Sequence, residues 1–177
     1  MRVFLTGATG YVATAVAAEL KGAGHTVLGL ARNVEGAAGL EARGVEPHRG
    51  ELADHASLIA GAAACDGVIH CAFIHDFSRF VENAEIERVA VEAMLASLEG
   101  SNKPFIATSG VAMLAEGRPA TEQDRPGAFG RGDGAAGQRG GDQRGHCQRG
   151  ADLTIPNRIS AHPPLPSWLK LLVSIPL

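Results

Sequence analysis

The stretch TGATGYVA, residues 6–13, decides how the rest of the chain is read. It overlaps the end of RVFLT (2–6), a short apolar run that reads as a buried strand. It leads into YVATAVAAELKGAG (11–24), where Val12, Val16, Ala17 and Leu20 recur at helical spacing and Gly22 and Gly24 mark the end. A Gly-rich turn between a strand and a helix is a place for phosphate. Gly7 allows the tight turn, and Gly10 lets the backbone approach a pyrophosphate. The helix behind it aims its free N–H groups and positive dipole end at the phosphates. Ala13 stands where a third glycine is common and is small enough for close helix–strand packing. A Gly-rich turn without a ligand is the bland alternative, and the strand before it and the helix after it weigh against that.

Outward from this turn the chain alternates. HTVLGLAR (25–32) reads as a second strand and VEGAAGLEARG (34–44) as a helix closed by Gly44. VEPHRG (45–50) carries a short third strand, whose Pro47 predicts a sheet edge or an early end. HASLIAGAAAC (55–65) is a short helix. GVIHCAF (67–73) is a fourth strand, apolar enough to be buried on both faces. Residues 78–100 form a long amphipathic helix, with Phe80, Ala84, Val91, Met94, Leu95 and Leu98 mostly on one side. KPFIATSG (103–110) is a fifth strand. Five strands alternating with helices predict an α/β fold, an incomplete doubly wound parallel sheet with right-handed crossovers.

Composition narrows the function. With 45% hydrophobic and 20% charged residues in 177, the chain has the makeup of an ordinary globular protein. A net charge of −3 argues against a general polyanion binder, so no nucleic-acid partner is expected. Cys65, Cys71 and Cys147 form no disulfide framework and suit a reducing compartment. The apolar run at the N-terminus is too short for a signal peptide, and no segment approaches the roughly 20 apolar residues that span a bilayer. The cytoplasm is the expected location, with no membrane partner. HCAFIHD (70–76) gathers His70, Cys71, His75 and Asp76, but strand alternation sends His70 and Cys71 to opposite faces, so no metal is expected.

The end of the second strand selects the cofactor. An acid there would accept hydrogen bonds from a ribose 2′-OH. This sequence has GLARN instead, and Arg32 can pair with a 2′-phosphate, which favours NADP, with NAD the alternative.

TGATGYVA, GLAR, RGEL, GVIHCAF and FIATSG stand in the order and at the spacing of one family. Residues 1–117 resemble the N-terminal part of the short-chain dehydrogenase/reductase superfamily, in its extended or atypical branch, related to nucleotide-sugar epimerases and NADP-dependent reductases. The resemblance covers about two thirds of the chain. It implies a cofactor site made of Gly7, Thr9, Gly10, Tyr11 and Val12 at the pyrophosphate, Arg32 at the ribose, and Glu51 and Leu52 beside the adenine. Cys71, Ala72 and Phe73 would line the adenine ribose and nicotinamide side. Ser109 matches the serine that hydrogen-bonds the substrate carbonyl or hydroxyl. The implied function is oxidoreduction or epimerisation of a small carbonyl or hydroxyl substrate. Its rivals are a non-catalytic NADP-binding sensor of the NmrA type and a truncated, inactive product.

The sequence departs from the family after Ser109. The family's general acid/base is a Tyr, with a Lys four residues later that lowers its pKa. Here the one Tyr is Tyr11, in the phosphate loop, and the one Lys beyond Lys103 is Lys170. The sixth strand and the substrate region that the resemblance predicts are also missing. Instead, residues 125–150 hold nine Gly and five Arg, with no Val, Ile, Leu, Met, Trp or Tyr. One RGG (139–141) suggests a nucleic-acid segment and the composition suggests a linker, but the abrupt change fits translation out of the ancestral frame best. Arg-Gly codons read one base later encode Ala, Val, Glu or Gly, the residues of a helix. Residues 118–177 are therefore expected to be an irregular, disordered tail.

Overall fold

The computed structural model describes residues 1–108. Ser109, the boundary expected at residue 117 and the tail 118–177 lie outside the described residues. Met1–Ala107 form one compact unit. Its strands are β1 (Arg2–Thr6), β2 (Thr26–Ala31), β3 (Glu46–Arg49), β4 (Gly67–His70) and β5 (Phe105–Ala107). Between them run α1 (Tyr11–Gly22), α2 (Val34–Ala42), α3 (His55–Ala63) and α4 (Phe80–Leu98). The five strands pair in parallel in the order β3-β2-β1-β4-β5. The chain thus winds outward from β1 to β3, then crosses back to β4. Ligands of open α/β sheets sit where the winding reverses, here between the C-terminal ends of β1 and β4. Pro47 lies in β3, which is an edge strand as its missing N–H requires.

Burial follows the strand period. Phe4 joins a core with Leu28, Leu58, Val68, Met94 and Phe105, packed under α3 and α4. Val3 and Leu5, its neighbours along β1, are buried outside that cluster, on the opposite side of the sheet. The tightest helix contact is at Gly61 of α3, where an added Cβ would lie 2.5 Å from the Phe4 ring.

Two expectations are corrected. β4 ends at His70, three residues short of the expected strand 67–73. Its neighbour β1 gives the reason: the last rung of that ladder is Thr6↔His70, because Gly7 turns the chain away at φ +65°. Cys71, Ala72 and Phe73 therefore follow the strand as irregular chain. The buried face of α4 is also rotated. It centres on Asn83, Ala90, Met94 and Leu98, with Val91 and Leu95 half-buried beside it, so Phe80 and Ala84 lie off its centre. Asn83 is buried at the start of this face, its Nδ2 donating to the Asp76 carbonyl at 2.8 Å.

Candidate dinucleotide site

The turn after β1 is closed by its own backbone. Gly10 N donates to the Gly7 carbonyl at 2.8 Å, and Thr14 closes the first turn of α1 with its N and Oγ1 both donating to the Gly10 carbonyl, at 3.0 and 2.8 Å. Gly7 needs to be glycine twice over. Its φ is left-handed, and a Cβ would meet Ala72 N and the Cys71 carbonyl group at 2.8 Å. The loop is thus pressed against the chain that leaves β4. Gly10 has an extended backbone that any residue adopts, and a Cβ there would meet the Gly7 carbonyl at 3.1 Å. Its lack of a side chain leaves the mouth of the loop open. Ala13 is fully buried, in keeping with close packing of α1 on the sheet.

The helix N-termini differ in a way that bears on a ligand. Asn33 caps α2 by accepting from Gly36 N at 2.8 Å, and Asp54 caps α3 by accepting from Ser57 N at 3.0 Å. α4 continues from a 3-10 turn at Phe77–Arg79. α1 has glycine at its cap, no side-chain cap and no acid in its first turn. Its positive end is left for an anion.

The remaining expected residues fall around the same sheet edge. Tyr11 is the first residue of α1 and is 95% exposed, with Val12 partly exposed beside it. Arg32 is exposed one residue past β2. Glu51 is exposed on the loop after β3, while Leu52 turns inward and packs in the core cluster. Cys71, Ala72 and Phe73 are half-buried beside the phosphate loop.

Three residues hold this edge together: Thr6 and Arg43, to which the sequence reading gave no role, and His70, which it weighed only as a metal ligand or stand-in acid. Thr6, the last residue of β1, is buried; its Oγ1 accepts from Ala72 N at 3.3 Å and shares a 2.8 Å hydrogen bond with His70 Nδ1. His70 is 1% exposed, its ring lies near-parallel to Phe105, and its Nε2 is 3.6 Å from Glu87 of α4. It thus ties β1, β4 and α4 together. Arg43 donates from Nη1 to Thr14 Oγ1 at 2.5 Å and from Nη2 to the Ala8 carbonyl at 3.4 Å, bracing the loop from behind. A threonine ending a buried strand and a histidine inside one are legible signals of buried polar pairing; nothing in the sequence marks Arg43.

Beyond β4 the rings of Phe73, His75, Phe77 and Phe80 follow one another at 5.4–6.3 Å, with Phe77 69% exposed. Asp76 starts this segment's 3-10 turn. The Ser78 hydroxyl and amide both donate to its carboxylate, which holds that carboxyl below the usual range. Among the described residues no group of three or more His, Cys, Asp and Glu is placed to hold a metal.

The family model described as the NAD dependent epimerase/dehydratase family matches residues 3–131. The chain belongs to this family. It is 48% identical over 128 residues to an uncharacterized protein of Saccharomyces cerevisiae, which covers 70% of this chain and 42% of the yeast protein. It is 33% identical over 128 residues to 4-hydroxy-2-methyl-3-oxo-4-farnesyl-3,4-dihydroquinoline-1-oxide ketoreductase of Stigmatella aurantiaca, covering 70% and 38%. The chain therefore spans about two fifths of the length of the curated relatives it matches. Two solved structures share its fold. UDP-glucose 4-epimerase from Bifidobacterium longum, in complex with NAD+ and UDP, superposes with a TM-score of 0.58 at 22% identity, over 72% of this chain and 43% of the other. UDP-N-acetylglucosamine 4-epimerase from Bacillus cereus gives 0.58 at 17% identity, over 71% and 42%. The family's description makes a nicotinamide dinucleotide its class of cofactor.

Proposed function

We propose that the chain binds NADP(H) at the β1–α1 turn and contributes the cofactor-binding part of an enzyme that oxidises, reduces or epimerises a small carbonyl or hydroxyl substrate. The observation that carries the reading is the uncapped, acid-free N-terminus of α1 behind a turn whose two glycines keep the mouth clear. Gly7, Thr9 and Gly10 with the first-turn residues Tyr11 and Val12 would hold the pyrophosphate, and Arg32 the 2′-phosphate. Glu51 and Leu52 would stand at the adenine; Cys71, Ala72 and Phe73 would line the ribose and nicotinamide side. When bound, the nicotinamide supplies or takes up hydride. Ser109 would orient the substrate, by resemblance to the family. The ketoreductase relative supports a carbonyl substrate for this chain as well. We place the protein in the cytoplasm, without nucleic-acid or membrane partners. Free, buried Cys65 suits that setting, and among the described residues no helix is long and apolar enough to cross a membrane.

A second reading, an NADP-binding sensor without turnover, is favoured by one observation: the sequence holds no Tyr-x-x-x-Lys pair, and its one Tyr sits in the phosphate loop. Calorimetric titration with NADPH tests the shared part of both. Binding by the wild type should be abolished in Gly10→Asp, which puts a carboxylate at the phosphate position. Equal binding by the two proteins would show that the loop is not the site.

A further inference from the structure

We infer that Arg49 is a second reader of the cofactor's 2′-phosphate, forming with Arg32 a two-guanidinium clamp at the corner where β2 and β3 end. The inference rests on the NADP(H) reading above and adds to it a residue from a different strand.

Six arginines fall among the described residues. Arg2 pairs with Glu46, Arg79 with Glu82, and Arg88 with Glu85 and Glu92. Arg43 is spent on Thr14 and main-chain carbonyls. Arg32 and Arg49 are both exposed, and among the described residues neither has a carboxylate within ion-pairing distance. They share one place. The β2–β3 ladder pairs Ala31 with Arg49, and Arg49 Nη2 reaches over to donate to the Arg32 carbonyl at 3.4 Å. A dianionic phosphate at this corner would accept forked, charge-assisted hydrogen bonds from both guanidinium groups.

The backbone under Arg49 is built rather than loose. Gly50 N donates to the Ala31 carbonyl at 3.2 Å, and Ser57 Oγ donates to the Arg49 carbonyl at 2.7 Å. Gly50 leaves room for this: a Cβ there would fall 2.0 Å from Ser57 Oγ. The N-terminus of α2, capped by Asn33, opens beside Arg32 and adds its dipole on the same side. Glu35 in that first turn and Glu51 after β3 are the nearby acids in sequence, and neither is ion-paired to Arg32 or Arg49.

The test is titration of the full chain with NADPH and with NADH. Wild type should prefer NADPH. Arg49→Ala should weaken NADPH about tenfold and NADH less than about twofold, because one charge-assisted contact at an exposed site is lost. Arg49→Lys should fall between, since it keeps the charge and loses the fork. The Arg32→Ala/Arg49→Ala double variant should bind both cofactors alike. A wild type without preference would overturn the NADP(H) reading and the clamp together. A preference that Arg32→Ala removes and Arg49→Ala leaves intact would overturn the clamp alone. So would equal losses for NADPH and NADH in both Arg49→Ala and Arg49→Lys, which would mark Arg49 as a support of the fold.

Discussion

Gly7→Ala offers a measurement in which two physical costs can be separated. Gly7 has φ +65°, where an L side chain costs about 1–2 kcal/mol. Its Cβ would also lie 2.8 Å from three backbone atoms of Cys71 and Ala72, which no rotamer change can clear, and forced overpacking adds roughly 1–3 kcal/mol. Gly24 is the control. It has φ +80° with nothing within 4 Å of an added Cβ. Each alanine also stiffens the unfolded chain, a stabilisation of about 0.4–1 kcal/mol. Gly24→Ala should therefore lose about 1 kcal/mol or less, and Gly7→Ala about 2–4 kcal/mol. The second figure is a large part of the roughly 5–15 kcal/mol that stabilises an ordinary domain. Urea unfolding followed by far-ultraviolet circular dichroism, which reads the helices and the sheet directly, is the assay. Equal losses at the two positions would show that Gly7 is glycine for its φ alone. The tight seating of the phosphate loop on the end of β4 would then be wrong.

Two further measurements probe the core and its chemistry. Gly61→Ala should cost roughly 1–3 kcal/mol by driving a methyl into the Phe4 ring at 2.5 Å, and Phe4→Leu in the same chain should recover part of that loss; losses that simply add would place the clash elsewhere. Burial pushes the Cys65 thiol up, so it stays neutral where the unfolded chain's thiol ionises. Its folded pKa being the higher one, its contribution to stability is intact below the unfolded thiol's range and is lost as pH rises through the folded value. In a Cys71→Ser, Cys147→Ser background the remaining thiol should react with a disulfide reagent at the rate of global unfolding, and the fall in urea midpoint between neutral pH and pH about 9.5 should be smaller in Cys65→Ser than with Cys65 in place; equal falls would contradict its burial.

The alternation of apolar runs with helix-period segments was enough to give the sheet, because each βα unit announces its own boundary: Gly7 after RVFLT, Gly24 before the second strand, Pro47 at the edge. The β1–α1 turn was legible for the same reason, as its geometry is local. What escaped the sequence is what depends on a partner far along the chain. β4 stops at His70 because β1 stops at Thr6, and no pattern within GVIHCAF encodes that. The burial of Asn83 in α4 goes with its reach back to Asp76, a polar residue placed on the face of Ala90 and Met94 by a partner outside the helix. Arg43 and Arg49 look like surface arginines until the ladder places one behind the phosphate loop and the other beside Arg32.

Catalysis is the sharpest expectation, and it is negative. Reduction of a carbonyl leaves an alkoxide that must gain a proton, and a positioned general acid contributes about 10²–10⁴-fold to such a step. The family supplies it from a Tyr whose pKa is lowered by a nearby Lys. In this chain Tyr11 is the one Tyr, and it stands fully exposed on the first residue of α1, at the phosphate end of the site. Ser109 offers an ordinary hydroxyl. Two histidines lie at and after the end of β4. His70 is sealed in the core with Nδ1 committed to Thr6 and its other edge turned toward Glu87, so it serves the sheet rather than a substrate. His75 is exposed, but its ring is packed edge-on between Phe73 and Phe77. We therefore expect the 177-residue chain to bind NADPH yet to oxidise it no faster than background when offered a panel of aldehydes and ketones. Steady NADPH consumption that disappears in Ser109→Ala would refute this. His75 would then be the first candidate for the missing acid, since it is the exposed one of the two, and a rate that also falls in His75→Ala but survives in Tyr11→Phe would identify it.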